Sequence, residues 1–587
     1  MLHRITLRRV ALPATASLLV LAVLANGLGS GGEARAAAPG ISLERLGTYA
    51  SEVPFDGDFG AAEIPAYDPI TRRVFVVNAQ QERIDVLDIS SPSNPSEVGA
   101  IQLESTPNSV AVSDGQLAVA VEADPKTAPG TAALYATSCD PGTCEPLNEI
   151  EVGALPDMLT FSPSGRYLLV ANEGEPLTAE DDPMGTISVI DLRKGAERPI
   201  VETVDFSSLD GTPPTVPTGA VLAPGRQPRR DFEPEYITVS TDSRTAWVAL
   251  QEANAIAEID VSRARLAAVR GLGFKDHGLE RNSLDVSDRD NSINMCTWSG
   301  VHGIYMPDGI ASYQVRNRYY VVTANEGDSR DENNPFTDES RVNALPSSAF
   351  IGSPFSAELR DNRNLGRLTV NKNLGLVNGV YQGLYVYGAR SFAIWSDSGD
   401  LVYDSGNDFE RIVDSFPAPI TAYDPYASPL LLEGPTVPTA KSYKCPIPTS
   451  EALPTSLPPT TPANSNHEEG PSFDNRSDNK GPEPEGVTLG RINGHTYAFL
   501  SLERASGIMV YDVTDPAAAK FVEYLNPRNF AAEYALPDDP GEWETAGDLG
   551  SEGLVFVAEG ESPTGAPLLI VANEVSGTTT IYEVGTA

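Results

Sequence analysis

Hydrophobic and polar positions alternate along this chain in short runs, without long stretches of helical periodicity. One unit begins with a turn that carries Pro beside an acid, followed by a short apolar strand, a second strand that ends in an acid, and a third alternating strand. Pro156–Leu159, Leu168–Glu173 and Ile187–Asp191 form such a unit. Period-two alternation between Gly, Pro, Asp and Asn turns is typical of β-strands. The pattern therefore predicts an all-β protein.

The same unit recurs, and its repetition decides the predicted architecture. Further clear copies begin at Pro234, Pro307, Pro484 and Ser551, weaker ones at Glu63 and Pro107, and a partial one covers Leu384–Trp395. Each unit has an apolar face that only a neighbour can cover, and a closed ring covers all of these faces at once. We predict a β-propeller of seven or eight blades, with two stacked sandwiches as the alternative. Residues Leu43–Tyr49 are expected to supply the outer strand that locks the last blade.

Two segments break the repeat, at about residues 262–306 and 415–482. The second is rich in Pro, Ser, Thr and Asn around residues 454–466. Both are predicted as long loop insertions in a single propeller domain of residues 37–587, since long loops on a rigid scaffold often carry binding groups.

The first residues have the order of a secretory signal peptide. Arg4, Arg8 and Arg9 precede an uncharged apolar run at residues 10–28, and Ala34-Arg35-Ala36 supplies a small-x-small site. We predict a signal peptide at residues 1–36 with cleavage near Ala36, and no membrane span after cleavage. The protein is thus expected to be secreted or periplasmic, with general and twin-arginine export both open.

Charge and cysteine content agree with export. The chain has 41 Lys and Arg against 81 Asp and Glu, a net charge of −40. Such a surface repels nucleic acid and attracts cations, so nucleic-acid binding is excluded as a function class. The four cysteines fit an oxidising compartment. Among three possible pairings, local spacing favours Cys139 with Cys144, which leaves Cys296 with Cys445.

The repeat places acids at matching positions in successive units. One set precedes the first strand and the other ends the second strand: Asp157, Glu235, Asp308, Glu485 and Glu552, then Glu122, Glu173, Glu252, Glu326, Glu503 and Glu574. Inner strands of a propeller converge on its axis, so equivalent acids are expected to form rings. Carboxylates a few ångströms apart need a cation, backbone N–H groups or Arg partners. Ca²⁺ is the expected cation, with another divalent metal as an option, because it prefers oxygen ligands. Capping of strand turns is the structural alternative.

Basic residues occur beside these acids. Arg330, Arg390 and Arg504 follow or match acidic positions, and Arg476 and Lys480 lie close to Glu485 in the sequence. Arg beside metal-holding acids suits an anion site, and internal ion pairs are the alternative.

Other motifs change the interpretation little. Residues 284–291 alternate acids like a calcium loop but lack its glycine and distal glutamate, so an exposed acidic turn is expected there. His277, His302, His467 and His495 lack metal-ligand spacing. Sequences of the G-x-S-x-G, H-E-x-x-H and G-x-x-x-x-G-K types are absent, which argues against standard serine hydrolases, zincins and nucleotide-binding proteins.

Several strings go beyond a generic propeller: Thr323–Arg330, Arg390–Trp395, Arg476–Val487, Gly507–Pro516 and Val571–Tyr582. Together they resemble the choice-of-anchor I domain over essentially residues 41–585. That family includes exported bacterial proteins often labelled alkaline phosphatase, and it is similar to mesenchyme-specific cell-surface glycoproteins of biomineralising animals. The resemblance implies a secreted propeller with a link to calcium or phosphate. The chain stops directly after its last predicted strand, so release rather than anchoring is expected.

Two functional hypotheses follow. In the first, the protein is a metal-dependent phosphomonoesterase: Glu326, Asp328, Glu485, Glu503, Glu552 and Glu574 hold Ca²⁺, Arg330, Arg390 and Arg504 grip a phosphoryl group, and metal-activated water attacks. In the second, it is a non-catalytic surface or matrix protein that binds calcium, mineral or glycan. The expected partner is a small anionic substrate or a mineral surface, and the protein is expected to be a monomer.

Overall fold

The computed structural model describes residues 40–586, except residues 52, 54, 56, 58, 59, 332, 417–429, 434–436, 438–440, 442, 444 and 456–461. The predicted signal peptide at residues 1–36 lies outside the described residues. Within them, seven large antiparallel sheets account for most of the strands. Six of these sheets have four strands and one has five.

We number the sheets 1 to 7 in chain order and give their strands from the innermost outward. Sheet 1 contains Pro65–Asp68, Arg73–Asn78, Arg83–Asp88 and Ser96–Gln102. Sheet 2 contains Pro107–Ser113, Gln116–Val121, Pro129–Ala136 and Asn148–Ala154. Sheet 3 contains Pro156–Phe161, Tyr167–Asn172, Thr186–Asp191 and Ile200–Val204. Sheet 4 contains Pro234–Val239, Thr245–Leu250, Ala255–Asp260 and Arg265–Gly271.

Sheet 5 contains Ile310–Val315, Arg318–Asn325, Ser391–Ser396 and Leu401–Asp404. Sheet 6 contains Pro484–Ile492, His495–Leu502, Ile508–Asp512, Lys520–Asn526 and Leu430–Glu433. Sheet 7 contains Ser551–Val557, Leu568–Asn573, Thr578–Thr586 and Ile41–Ala50. The innermost strands of successive sheets contact one another, and the innermost strand of sheet 7 contacts that of sheet 1. The sheets therefore close into a ring, and the predicted β-propeller fold is confirmed.

Apolar side chains from neighbouring sheets fill the space between them. Tyr497 and Phe499 of sheet 6 pack with Leu569 and Val571 of sheet 7, and each further interface has its own apolar cluster. The middle strands are almost wholly buried, whereas most of the outer strand Ile200–Val204 is exposed. This gradient explains the sequence pattern, because only a middle strand is covered on both faces.

The ring is sealed by strands from opposite parts of the sequence. Ile41–Ala50 pairs antiparallel with Thr578–Thr586, so that Ile41 lies opposite Thr586 and Ala50 opposite Thr578. The prediction that Leu43–Tyr49 locks the last blade is confirmed.

Small elements occupy the segments between the large sheets. The short strands are Phe274–Asp276, Val301–Ile304, Glu339–Arg341, Thr369–Asn371, Leu376–Val377, Val380–Tyr381, Leu384–Val386, Glu469–Gly470 and Tyr534–Ala535. The α-helices are Pro228–Asp231 and Asp408–Ser415. The 3₁₀ helices are Ala79–Gln81, Pro141–Thr143, Ser207–Leu209, Val261–Arg263, Glu280–Asn282, Val342–Ala344, Ser347–Phe350 and Trp543–Thr545.

Three details differ from the sequence expectations. The partial unit predicted at Leu384–Trp395 is not a separate unit, because Ser391–Ser396 is the third strand of sheet 5 and Leu384–Val386 pairs with Val301–Ile304. Residues 262–306 begin with the outer strand of sheet 4, Arg265–Gly271, before the chain becomes irregular. The calcium-loop-like segment is not an exposed turn, because Asp285 and Asp290 are only 1% and 2% exposed. Both predicted disulfides are present, Cys139 with Cys144 and Cys296 with Cys445.

Candidate functional site

One residue from each sheet lies at the start of its innermost strand, and we call this set the inner ring. In sheets 2, 3, 4, 6 and 7 it is the second residue of the strand, and in sheets 1 and 5 it lies two residues before the strand. The members, in sheet order, are Glu63, Asn108, Asp157, Glu235, Asp308, Glu485 and Glu552. In those five sheets the strand register shifts at this residue, as expected for a β-bulge. A bulge redirects a side chain, which explains how an acid in a strand reaches the axis.

Glycines allow the innermost strands to approach closely. The amide N of Gly309 donates to the Glu485 backbone O at 3.0 Å, and that of Gly553 donates to the Glu63 backbone O at 3.2 Å. A Cβ atom at either glycine would lie 2.4 Å from the same carbonyl oxygen. The Gly after an inner-ring acid therefore lets acids of neighbouring sheets stand side by side.

A central cavity of about 280 Å³ lies inside this ring. Its lining includes Asn108, Gln251 and Tyr236 and, within the described part of the chain, neither Lys nor Arg. We call its nine carboxylates the channel acids, and they are Asp157, Glu173, Glu235, Glu252, Asp308, Glu326, Asp328, Glu485 and Glu552. Residues more than 390 positions apart in the sequence thus converge on one small volume.

Burial raises the pKa of several channel acids, and for Glu235 and Asp157 no nearby cation opposes it. Burial raises the pKa of Glu235 well above its usual range, and the charges of Glu252, Glu173, Asp308 and Asp157 raise it further. Burial also raises the pKa of Asp157 to about 7, and that of Glu252 to about 7 despite the opposing charge of Arg330.

Oxygen atoms of these acids also lack hydrogen-bond donors. Oε2 of Glu235, Glu252, Glu485 and Glu552 accepts no hydrogen bond, although Glu235 and Glu252 are only 7% and 6% exposed. Buried polar atoms in proteins are almost always hydrogen-bonded. These oxygens are therefore free to act as ligands.

Another buried glutamate near the cavity has the opposite environment. Arg476 donates from Nε and NH2 to Glu483 Oε1 at 2.9 and 2.6 Å, and Lys480 Nζ and Arg504 Nε lie 3.3 and 3.5 Å from Oε2. Burial raises the pKa of Glu483, but Arg476, Lys480 and Arg504 outweigh burial and lower the pKa to about 2. Glu483 is therefore ionised, and three cations compensate its charge, although its Oε2 accepts no hydrogen bond.

Three groups of side chains in the described residues are close enough to share an ion. In each group the ligand atoms lie within 4.8 Å of one another: Asp308, Glu326 and Glu485; Glu326, Glu483 and Glu503; His467, Glu503 and Glu574. The first group offers only carboxylate oxygens and lines the cavity, which suits Ca²⁺. Lys480 Nζ donates to Glu326 Oε1 at 2.5 Å, and Gln251 Nε2 donates to Oε2 at 2.8 Å. These two bonds fix the carboxylate plane of Glu326.

The histidine group is less suited to a metal. Arg504 NH1 donates to His467 Nε2 at 2.8 Å, which leaves Nδ1 to donate to the Glu503 backbone O at 3.0 Å. Burial and the charge of Arg504 lower the pKa of His467 to about 4. The ring is thus neutral, and both of its nitrogens are occupied.

The sequence-predicted metal ligands divide into two places. Glu326, Asp328, Glu485 and Glu552 line the cavity. Glu503 and Glu574 do not line it and belong to the group with His467, but Glu503 also shares a group with Glu326, so the two places adjoin. Arg504 Nε lies 2.9 Å from Glu503 Oε1.

The three predicted anion-gripping arginines do not come together, and none lines the cavity. Arg330 lies 3.4 Å from Asp231 and 3.6 Å from Asp338. Arg504 pairs with Glu468 at 2.6 Å as well as with Glu503. Each guanidinium is paired with different acids. This arrangement corresponds to internal ion pairs, the alternative to an anion site.

Arg390 has a wholly different neighbourhood. Its NH1 donates to the Asp285 backbone O at 2.7 Å and to Glu410 Oε1 at 2.8 Å. Its NH2 donates to the backbone O of Ser477 at 2.7 Å and of Asn479 at 2.8 Å. The side chain therefore ties loops together.

Sequence reasoning missed some residues of the site. Glu63 opens a weak copy of the repeat, and aligning that copy on its first acid would have found it. Glu483 lies two positions before Glu485 in the same motif, and the sequence alone does not show which of the two glutamates contacts Arg476 and Lys480. In the described residues, no helix is both long and apolar enough to span a lipid bilayer.

Comparisons with known proteins agree with the fold. The sequence profile of the choice-of-anchor I domain matches residues 63–428 and 449–516. Gigasin-3a of Magallana gigas is 24% identical over 225 residues, which is 38% of this chain and 64% of Gigasin-3a, so the match covers less than two thirds of that relative.

Solved structures resemble the chain more distantly. Kuenenia stuttgartiensis hydrazine synthase is 12% identical with a TM-score of 0.44, covering 92% of this chain and 100% of that one. The Cps50 (Swd1) β-propeller domain of Myceliophteria thermophila is 8% identical with a TM-score of 0.38, covering 92% and 100%. The WD40 domain of Toxoplasma gondii coronin is 8% identical with a TM-score of 0.40, covering 93% and 89%. At these scores none of the three bears on function.

Proposed function

The chain belongs to the choice-of-anchor I domain family, and from that premise we propose that it is an exported calcium-binding propeller whose site is the axial cavity. Asp308, Glu326 and Glu485 would supply the first ligands, and the open oxygens of Glu235, Glu252 and Glu552 would complete the oxygen set. Ca²⁺ accepts six to eight oxygen ligands in loose geometry, which suits carboxylates that converge from separate sheets.

The observation that carries the proposal is the excess of negative charge in the cavity, where Lys480 pairs with one of the acids, Glu326. Nine carboxylates line about 280 Å³ without an Arg or Lys among the described lining residues. Ionised carboxylates that are removed from water need a partner, or else they bind protons. A divalent cation satisfies several of them at once.

The contacts of the arginines do not favour the phosphomonoesterase hypothesis. Arg330, Arg390 and Arg504 are each engaged by separate acids or carbonyls, so none is free to bind a phosphoryl oxygen. The acid-lined cavity itself repels an anionic ester.

The location is proposed to be extracellular. The choice-of-anchor I domain and the two disulfides are consistent with an extracellular or cell-surface protein. We propose that the protein is exported into the medium or the periplasm by a signal peptide that is cleaved near Ala36. Free Ca²⁺ is abundant outside cells, so a site of moderate affinity would be filled there.

Isothermal titration of the metal-free protein with CaCl₂ tests the proposal. We expect saturable binding that weakens at least about tenfold, or about 1.4 kcal/mol, in Glu485→Gln. The matched control is Glu559→Gln, since Glu559 is exposed and does not line the cavity. If both variants bind Ca²⁺ as tightly as the unchanged protein, the proposed calcium site in the axial cavity is wrong. Hydrolysis of p-nitrophenyl phosphate that requires Ca²⁺ and is lost in Glu485→Gln would restore the enzyme hypothesis.

A further inference from the structure

One lysine of the second insertion reaches an acid that lines the axial cavity. Lys480 Nζ lies 2.5 Å from Oε1 of Glu326 and 3.3 Å from Oε2 of Glu483. The lysine side chain is 14% exposed, and the two glutamate side chains are 11% and 0% exposed. The ammonium therefore lies between two buried carboxylates, of which only that of Glu326 lines the cavity.

The two carboxylates hold the ammonium in different ways. Lys480 donates a hydrogen bond to Glu326, whereas Oε2 of Glu483 accepts no hydrogen bond. Arg504 Nε, the other cation near this oxygen, lies 3.5 Å away and does not donate to it. Buried carboxylate oxygens are almost always hydrogen-bonded, so Glu483 offers the ammonium a second position close to the first.

The backbone that carries Lys480 is held in place by Arg390. The NH2 group of this arginine donates to the backbone O of Ser477 at 2.7 Å and of Asn479 at 2.8 Å. The turn also packs closely on the arginine, because a Cβ atom at Gly481 would lie 2.8 Å from Arg390 Cδ. An exchange of the ammonium between the two glutamates therefore needs only rotation of the flexible lysine side chain.

Glu326 is also a member of the carboxylate group that is proposed to bind Ca²⁺. Gln251 Nε2 donates to its other oxygen at 2.8 Å, so the carboxylate keeps its place when the ammonium leaves. An ammonium and Ca²⁺ on one carboxylate repel each other. Burial raises the pKa of Asp328 to about 6, and the charge of Lys480 is the largest influence that opposes it, so this charge acts inside the cavity.

We propose that Lys480 competes with Ca²⁺ for Glu326, and that the bound ion displaces its ammonium onto Glu483. This inference rests on the proposed function and names the residue that sets the affinity of the site. Breaking the bond between Lys480 and Glu326 costs free energy, so the lysine weakens calcium binding. The cost is limited because the ammonium stays paired with Glu483. Such a site responds to the high calcium concentrations found outside cells.

Calorimetric titration of the full chain with CaCl₂ tests the competition. We expect Lys480→Met to bind Ca²⁺ about tenfold more tightly than the unchanged protein, because the competing charge is gone. Lys480→Arg keeps the charge on the same turn, so its Kd should stay within about threefold of the unchanged value. Lys520→Met is the matched control, since Lys520 is exposed on sheet 6 and does not line the cavity.

A double-mutant cycle tests the displacement onto Glu483. Glu483→Gln removes the second position of the ammonium, so we expect it to raise the Kd for Ca²⁺ about threefold when Lys480 is present. In the Lys480→Met background no ammonium has to be accommodated, and the same substitution should leave the Kd unaltered. Equal effects of Glu483→Gln in both backgrounds would contradict the displacement.

The sign of the change in affinity decides between competition and a purely structural role. A Kd of Lys480→Met that equals or exceeds that of the unchanged protein would overturn the proposal, because Lys480 would then only orient Glu326. A Kd of Lys480→Arg as low as that of Lys480→Met would contradict competition by charge. If Lys480→Met does not fold, Lys480→Gln provides the same comparison, since it removes the charge and keeps a hydrogen-bond donor.

Failure of the proposed function gives a different result. In that case Glu485→Gln binds Ca²⁺ as the unchanged protein does, whatever the Lys480 variants show. If only this inference is wrong, Glu485→Gln still weakens binding while Lys480→Met does not strengthen it.

Discussion

Glu235 and Glu483 are both buried glutamates near the propeller axis, but the charges that surround them are of opposite sign. Glu235 is surrounded by acids and has a pKa raised well above its usual range. Glu483 is surrounded by Arg476, Lys480 and Arg504 and has a pKa lowered to about 2. The difference teaches that burial alone does not define a ligand site. A glutamate with built-in cations stabilises the fold, whereas one without them is available for an external ion.

Removing the compensated carboxylate should have the largest effect. Glu483→Gln leaves three partly buried cations without their shared, fully buried partner, so the free energy of unfolding should fall by about 3 kcal/mol. Urea denaturation in EGTA measures this change, with Glu235→Gln as the control that should not lose stability under the same conditions. If both variants lose the same free energy of unfolding, the proposed difference in charge compensation between Glu483 and Glu235 is wrong.

The pH dependence should follow the acids whose pKa is raised by burial. Asp157, Glu252 and Glu574 have a pKa of about 7 in the folded state, against roughly 4 when unfolded. The folded protein therefore binds more protons than the unfolded chain between about pH 4 and 7, and stability is lost as the pH rises through 7. In EGTA we expect Tm to fall by roughly 5 °C from pH 5.5 to pH 8. Calcium should flatten this profile, and a Tm that rises with pH in EGTA would contradict it.

For calcium affinity, in contrast to stability, Glu235 should matter more than Glu483. Glu235→Gln removes a negative charge and a carboxylate oxygen that accepts no hydrogen bond from the cavity. The Kd for Ca²⁺ should therefore rise about tenfold, which is about 1.4 kcal/mol. Calorimetry against Glu559→Gln, an exposed position, provides the comparison. An unaltered Kd would exclude Glu235 from the ligand set.

The smallest expected effect concerns the hydrogen-bond geometry between Arg476 and Glu483. Arg476→Lys keeps the charge but removes one of two donors to Glu483 Oε1, so the free energy of unfolding should fall by about 1 kcal/mol. Chemical denaturation measures the loss, and Arg491→Lys on sheet 6 serves as an exposed control. A loss as large as that of Glu483→Gln would mean that geometry, rather than charge, stabilises the cluster.

The sequence predicted the propeller and the ring of acids because both follow from local repetition. Strands such as Leu168–Asn172 and acids such as Glu485 occupy the same place in each unit, so one unit explains the others. Even the weak copy at Glu63 takes its expected position.

The arginines could not be predicted in the same way. The position of Arg390 beside an acidic turn suggested an anion site, yet its partners Asp285 and Ser477 come from insertions whose paths the repeat does not specify. Glu483 and Glu485 differ by two positions within one motif, and only the folded loops decide which of them meets cations. Ion pairing within and between these irregular segments therefore limited the prediction of the site.

The pairing of Ile41–Ala50 with Thr578–Thr586 also affects how the protein folds. Thr48 and Thr580, whose hydroxyl oxygens lie 3.0 Å apart, are separated by 532 positions. Ile41–Ala50 is synthesised before the other described strands, and it stays unpaired until Thr578–Thr586 has been made and the ring can close. Until then, sheets 1 and 7 each present an uncovered apolar face, which is the surface that chaperones and proteases recognise.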